Sequence, residues 1–181
     1  MKKDRMKKSV LISIALFTLA TFATAQKPSP PASAECKFSD GKTVKIDYSS
    51  PRAKGRKIFG SASEGALVPF GEVWRTGANE ATTFVLDKDV TVGGTAVPAG
   101  KYTIFTVPKA DGWTLIINKK TGEWGIPYKY QGDELGRVPM AVSKTSASVE
   151  NFTIAFDQGG SKCNLRMEWE NTQASVEISG K

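Results

Sequence analysis

After residue 25, no stretch of this chain repeats its apolar residues at a helical period. Short runs alternate apolar with polar residues instead, and Gly, Pro, Asp or Asn punctuate them. A period of two gives a strand one buried and one wet face, and it gives a helix no continuous stripe. The chain is therefore confined to short strands joined by turns. Residues 36–39 and 42–48 flank Asp40-Gly41, a hairpin signal. Val44, Ile46 and Tyr48 alternate there with Lys45 and Asp47. Gly93-Gly94 marks a second hairpin between short strands. Residues 101–107 and 113–118 are apolar on both sides and are expected at the centre of a sheet. Pro139 interrupts residues 138–142, which read as an edge strand or a strand start. Three strands at 149–156, 163–170 and 174–178 close the chain. About ten short strands predict an all-β fold, an antiparallel β-sandwich of jelly-roll-like form.

The first 25 residues obey different rules. Lys2, Lys3, Arg5, Lys7 and Lys8 precede an apolar run at 10–22. That run is shorter than the roughly 20 residues a membrane span needs. Ala23-Thr24-Ala25 follows it, the small-residue pattern of a cleavage site. Residues 1–25 are thus expected to be a signal peptide cut before Gln26, the alternative being an uncleaved anchor. No Cys stands at the cut, so a lipid anchor is not expected. The protein is expected to be exported, periplasmic or extracellular, with no stable membrane span after cleavage. Residues 26–34, rich in Pro, Ser and Ala, read as a flexible tether. Residues 35–181 read as a single β-sandwich domain.

The whole chain carries a net +7. Without the leader, 20 Lys/Arg and 17 Asp/Glu remain over 156 residues, a balance that does not suggest a nucleic-acid partner. There is no histidine, so no Ser-His-Asp triad, Cys-His pair or His-metal site can form. No phosphate loop, dinucleotide fingerprint or metal box occurs, and no cofactor is expected. The two cysteines, Cys36 and Cys163, each share the apolar side of a strand. Export permits a bridge between them, the alternative being two separate buried thiols.

One stretch concentrates chemistry among turn residues: Leu67-Val68-Pro69-Phe70-Gly71-Glu72-Val73-Trp74-Arg75-Thr76-Gly77-Ala78-Asn79-Glu80. Residues 72–76 read as a short strand and Gly77-Ala78-Asn79 as a turn. Arg75 presents a planar fork of donors that fits a carboxylate side on. Two readings stand. Either Arg75 pairs with Glu80 or neighbouring backbone to pin the loop, or Arg75, Asn79 and Glu80 face a ligand. Arg52 and Arg56 can join Arg75 in a cationic cluster, or lie in a solvated basic loop. Trp124, Tyr128 and Tyr130 can form a stacking platform, or cap the core.

Several motifs together resemble the family known as DUF2911. They are Ser50-Pro51-Arg52, Gly55-Arg56-Lys57-Ile58-Phe59-Gly60, Leu67-Val68-Pro69-Phe70-Gly71, Trp74 through Thr82, Pro98-Ala99-Gly100-Lys101-Tyr102, Trp113 with Asn118, and Trp124-Gly125. The resemblance implies a bacterial exported β domain and brings no reaction, ligand or site residues with it.

Three function classes follow. The first is a non-catalytic binding domain for an anionic or carbohydrate envelope component. Arg52, Arg56, Trp74, Arg75, Asn79, Glu80 and Trp124 would form its site. The second is a carboxylate-dependent hydrolase acting on glycans, for example. Glu80 would be its acid or base, Asp133 or Glu134 the second carboxylate and Arg75 the stabiliser. The third is a purely structural exported protein, which expects no cleft near Trp74.

Overall fold

The computed structural model describes residues 29–180. The expected signal peptide lies outside them. The fold is nearly all β. β1 (Pro31–Lys37) and β2 (Thr43–Ser49) form the first hairpin, and two-residue β3 (Phe59–Gly60) and β4 (Val68–Pro69) pair in parallel as a small separate sheet. Then come β5 (Thr83–Leu86), β6 (Val90–Val92), β7 (Thr95–Val97), β8 (Gly100–Val107) and β9 (Trp113–Asn118). β10 (Glu134–Gly159) and β11 (Lys162–Gly180) end the described chain.

Nine strands pair antiparallel in the order β1-β2-β5-β8-β9-β10-β11-β6-β7. β1 and β11 stand six steps apart in it. A flat sheet would separate them by about 29 Å at about 4.8 Å per step. Instead Cys36 of β1 and Cys163 of β11 are joined by a disulfide, their Cα atoms 6.4 Å apart. The sheet must therefore fold over so that its two halves face each other. The bend runs through β10, which pairs with β9 along 134–140 and with β11 from Ala141 onward. Register shifts fall between Lys144 and Val149 and between Val149 and Thr153. Such bulges let one strand pass between sheets.

Between the halves lies an aromatic core. Trp74 stacks on Trp169 at 5.8 Å and meets Phe152 edge-on at 4.8 Å, while Phe59 meets Trp113 at 4.9 Å. Val44, Ile46, Ile104, Leu115, Leu165 and Met167 extend this core around it. The opposite face of β8 and β9 is also covered: Phe105 and Ile116 pack there against Tyr128 and Tyr130. Both faces being buried explains why these two strands read as apolar on both sides.

Four expectations change. The last part of the expected tether is sheet, because Pro31 already pairs with Ser49 and Ala34 with Ile46. Residues 72–76 are not a strand. Only Trp74 bridges to Thr106, and Thr76 ends the run with φ 57°. The strands expected at 138–142 and 149–156 are parts of β10, and those at 163–170 and 174–178 are parts of β11. The Ser- and Asn-rich breaks between them stay extended: Ser143 pairs with Gln173 and Lys144 with Thr172. Pro139 sits inside the long β10, but at a place where β9 is the ladder neighbour and β11 has not yet joined. That is the one-sided pairing a proline tolerates.

Candidate functional site

Three loops meet at the end of the aromatic core. The first leaves β2. Pro51 accepts a hydrogen bond from the Phe152 amide, Ala53 donates to Glu150, and Arg52 bridges Asn151, so residues 50–53 lie along β10 as a fixed rail. Lys54 and Gly55 then turn the chain with φ 50° and 67°. The Arg56 side chain folds back, its Nε donating to the Ala53 carbonyl at 3.0 Å and its Nη2 to the Arg52 carbonyl at 2.6 Å. Arg52, Lys54 and Arg56 thus leave one short turn together. The Arg56 side chain is held by backbone carbonyls, while the Lys54 amide donates to the Glu150 carboxylate at 3.0 Å.

The second loop is the Trp-Arg stretch. Its backbone is anchored where Trp74 and Thr106 exchange two amide bonds of 2.8 and 2.9 Å. The indole Nε1 donates to the Gly77 carbonyl at 3.0 Å. Gly77 approaches β2 so closely that a Cβ there would lie 3.0 Å from the Ser49 carbonyl oxygen. Asn79, at φ 57°, donates both amide hydrogens inside the fold, to the Ser29 carbonyl and to Ser49 Oγ, each at 3.0 Å. The third loop, residues 119–133, is tied to the second by the Ala81 amide, which donates to Glu123. Asn118 Nδ2 holds it from beneath, donating to the Tyr130 carbonyl at 2.8 Å and to the Tyr128 hydroxyl at 3.2 Å. Tyr128 in turn donates to Glu134 at 2.6 Å, and Glu134 also binds Arg137 through two contacts of 2.8 and 2.9 Å. Burial and this carboxylate push the Tyr128 hydroxyl up to about 12.

The three loops enclose a cleft of about 830 Å³. Arg52, Arg56, Trp74, Arg75, Asn79 and Trp124 all line it. Six of the seven expected site residues are therefore brought together. Glu80 is not: it is exposed and outside the lining. Arg75 and Glu80 form no ion pair within the described residues. Arg75 donates to the Asn79 carbonyl and lies over the Trp124 ring, 4.8 Å from its centroid. Burial pushes the guanidinium down from its ordinary value, and the charge of Glu80 acts the other way. Of the proposed aromatic platform, Tyr128 and Tyr130 cap the core while Trp124 is 55% exposed.

Lys54, Leu67, Glu72 and Ile126 line the cleft as well, Leu67 and Glu72 from the Trp-Arg stretch but not among its expected site residues. Lys54 lay between Arg52 and Arg56 and was legible as part of their run. Ser29 and Pro30, expected in the tether, line it as well. The charge balance is lopsided: Arg52, Lys54, Arg56 and Arg75 face a single lining carboxylate, Glu72. None of the four cations has a carboxylate within ion-pair distance among the described residues. No group of three or more His, Cys, Asp or Glu that could hold a metal occurs among those residues either.

No curated protein matches the chain, and no solved structure does. A family model does match, over residues 29–178, from the first lining residue of the cleft to near the end of β11. By that match the chain belongs to the DUF2911 family, described as a protein of unknown function.

Proposed function

We propose that this is an exported, non-catalytic binding domain whose cleft takes an anionic component of the cell envelope, a carbohydrate among the candidates. One observation carries the reading: four cations line the cleft against one carboxylate, and none of them is neutralised by an ion pair. A guanidinium already partly dehydrated and held by a carbonyl gains more from an incoming anion than one free in water. Trp124 adds an exposed aromatic surface beside it. The disulfide fits an oxidising compartment. No helix among the described residues is long and apolar enough to cross a membrane.

The hydrolase reading is less favoured. Paired-carboxylate chemistry needs two carboxyls roughly 5–10 Å apart across a site. The lining offers Glu72 alone, while Glu134 is engaged by Arg137 and Tyr128. A cleft against Trp74 also counts against a purely structural role.

A thermal-shift panel tests the proposal. Oligogalacturonate, a neutral oligosaccharide and inorganic phosphate are each added to the exported protein. The reading expects stabilisation by at least one anion, none by the neutral sugar, and loss of the shift in Arg75→Gln. A flat panel across all three would overturn it.

A further inference from the structure

The described residues expose three large apolar side chains: Leu67 at 44%, Phe70 at 38% and Trp124 at 55%. They are not scattered. Leu67 and Trp124 line the cationic cleft, and Leu67 and Phe70 flank the two residues of β4. Two of these three exposed groups, Leu67 and Trp124, thus line the same cleft as Arg52, Lys54, Arg56 and Arg75, and Phe70 directly follows the lining residue Pro69. A site for a small soluble anion needs no apolar rim. Cations set among an outward Trp, Leu and Phe match a different partner, the interface of a bilayer. There an indole sits at headgroup level, apolar side chains enter the acyl boundary, and basic side chains meet anionic headgroups.

The course of the chain agrees. Ser29 and Pro30 line the cleft, so the N-terminal segment joins the domain at this mouth. The apolar run 10–22 ends six residues before Ser29. Six extended residues reach at most about 20 Å. A leader still held at a membrane would keep Ser29 within about that reach of it.

We infer that the cleft mouth is a docking surface for an anionic lipid bilayer. Leu67, Phe70 and Trp124 enter the interface, and Arg52, Lys54, Arg56 and Arg75 meet the headgroups. The inference rests on the reading of the cleft as an anion site and names the source of the anion.

Vesicle flotation tests it. The full chain is expressed with its leader, purified after export, and mixed with vesicles of phosphatidylcholine alone or with phosphatidylglycerol added. Binding is expected only to the vesicles containing phosphatidylglycerol, and it should weaken as salt rises. Trp74, Trp113 and Trp169 are buried, so a blue shift in emission on binding reports Trp124. Arg52→Gln/Arg56→Gln should weaken partition roughly tenfold or more. Leu67→Ser/Phe70→Ser should do the same, and Glu80→Ala should not. Each variant is checked by its thermal melt, and soluble anions are titrated in parallel. Equal binding to both vesicle types, or equal loss in Glu80→Ala, would overturn the inference. If soluble anions bind in the cleft but vesicles do not, the docking surface falls and the anion site stands. If neither binds, both fall.

Discussion

Arg75 holds a charge that makes no ion pair among the described residues, the charge of Glu80 acting on it from a distance. Its partners are the Asn79 carbonyl and the face of Trp124. Such contacts are modest, so Arg75→Ala is expected to cost about 1–2 kcal/mol in chemical denaturation. Glu80 is exposed and unpaired, and Glu80→Ala should fall within about 0.5 kcal/mol of the wild type. Losses of about 3 kcal/mol or more in both variants would instead mark a buried ion pair broken from either side. The distinction matters because a clamp and a binding group call for the same residue types. What separates them here is the choice of partner: Asn79 spends both donors on Ser29 and Ser49, whereas Arg56 and Arg75 spend theirs on carbonyls that an anion can compete with.

At the scale of elements, the cleft depends on the loop at 119–133 staying against the sheet. Gly125 is the tightest point. A Cβ there would lie 2.9 Å from Ala81 Cβ and 3.0 Å from the Phe105 ring, at a φ of 94°. Gly125→Ala is expected to destabilise by about 1–3 kcal/mol and to change the emission of Trp124, the neighbour it positions. The Tyr128 hydroxyl is the second fastening. Its pKa is raised from 10.0 to about 12, so the fold favours the neutral form. The stability this contributes is complete below pH 10, and it is lost as pH rises through about 12. Tyr128→Phe should remove that part of the alkaline transition in an ultraviolet titration.

For the whole molecule, the disulfide spans 127 residues and joins the first strand of the sheet to β11. Cys36→Ser/Cys163→Ser is expected to cost about 2–5 kcal/mol in denaturant unfolding. Much of this architecture was legible because alternation reports on burial directly: Val44 and Ile46 of β2, or Leu165, Met167 and Trp169 of β11, fall inward as their period requires. Strand length was less legible. Ser143 and Lys144 look like a turn, but their partners Gln173 and Thr172 keep them extended, and pairing is a property of two segments at once. The site was legible in part for a related reason. Arg52, Arg56, Arg75 and Trp124 stood out by chemistry, yet their meeting depends on a sheet folding over, which no local pattern encodes. Glu72 and Glu80 differ in their relation to the cleft only through the turn set by Thr76 and Asn79, both at φ 57°.

The central claim is that the cleft binds anions. Its most direct test is a calorimetric titration of oligogalacturonate and of phosphatidylglycerol vesicles into the exported protein and into Arg52→Gln/Arg75→Gln, at low and high salt. Saturable binding of at least one of them by the wild type is expected, weakened by salt and lost in a double variant that still unfolds in one cooperative melt. Absence of heat with both ligands, or binding that the double variant retains in full, would contradict it.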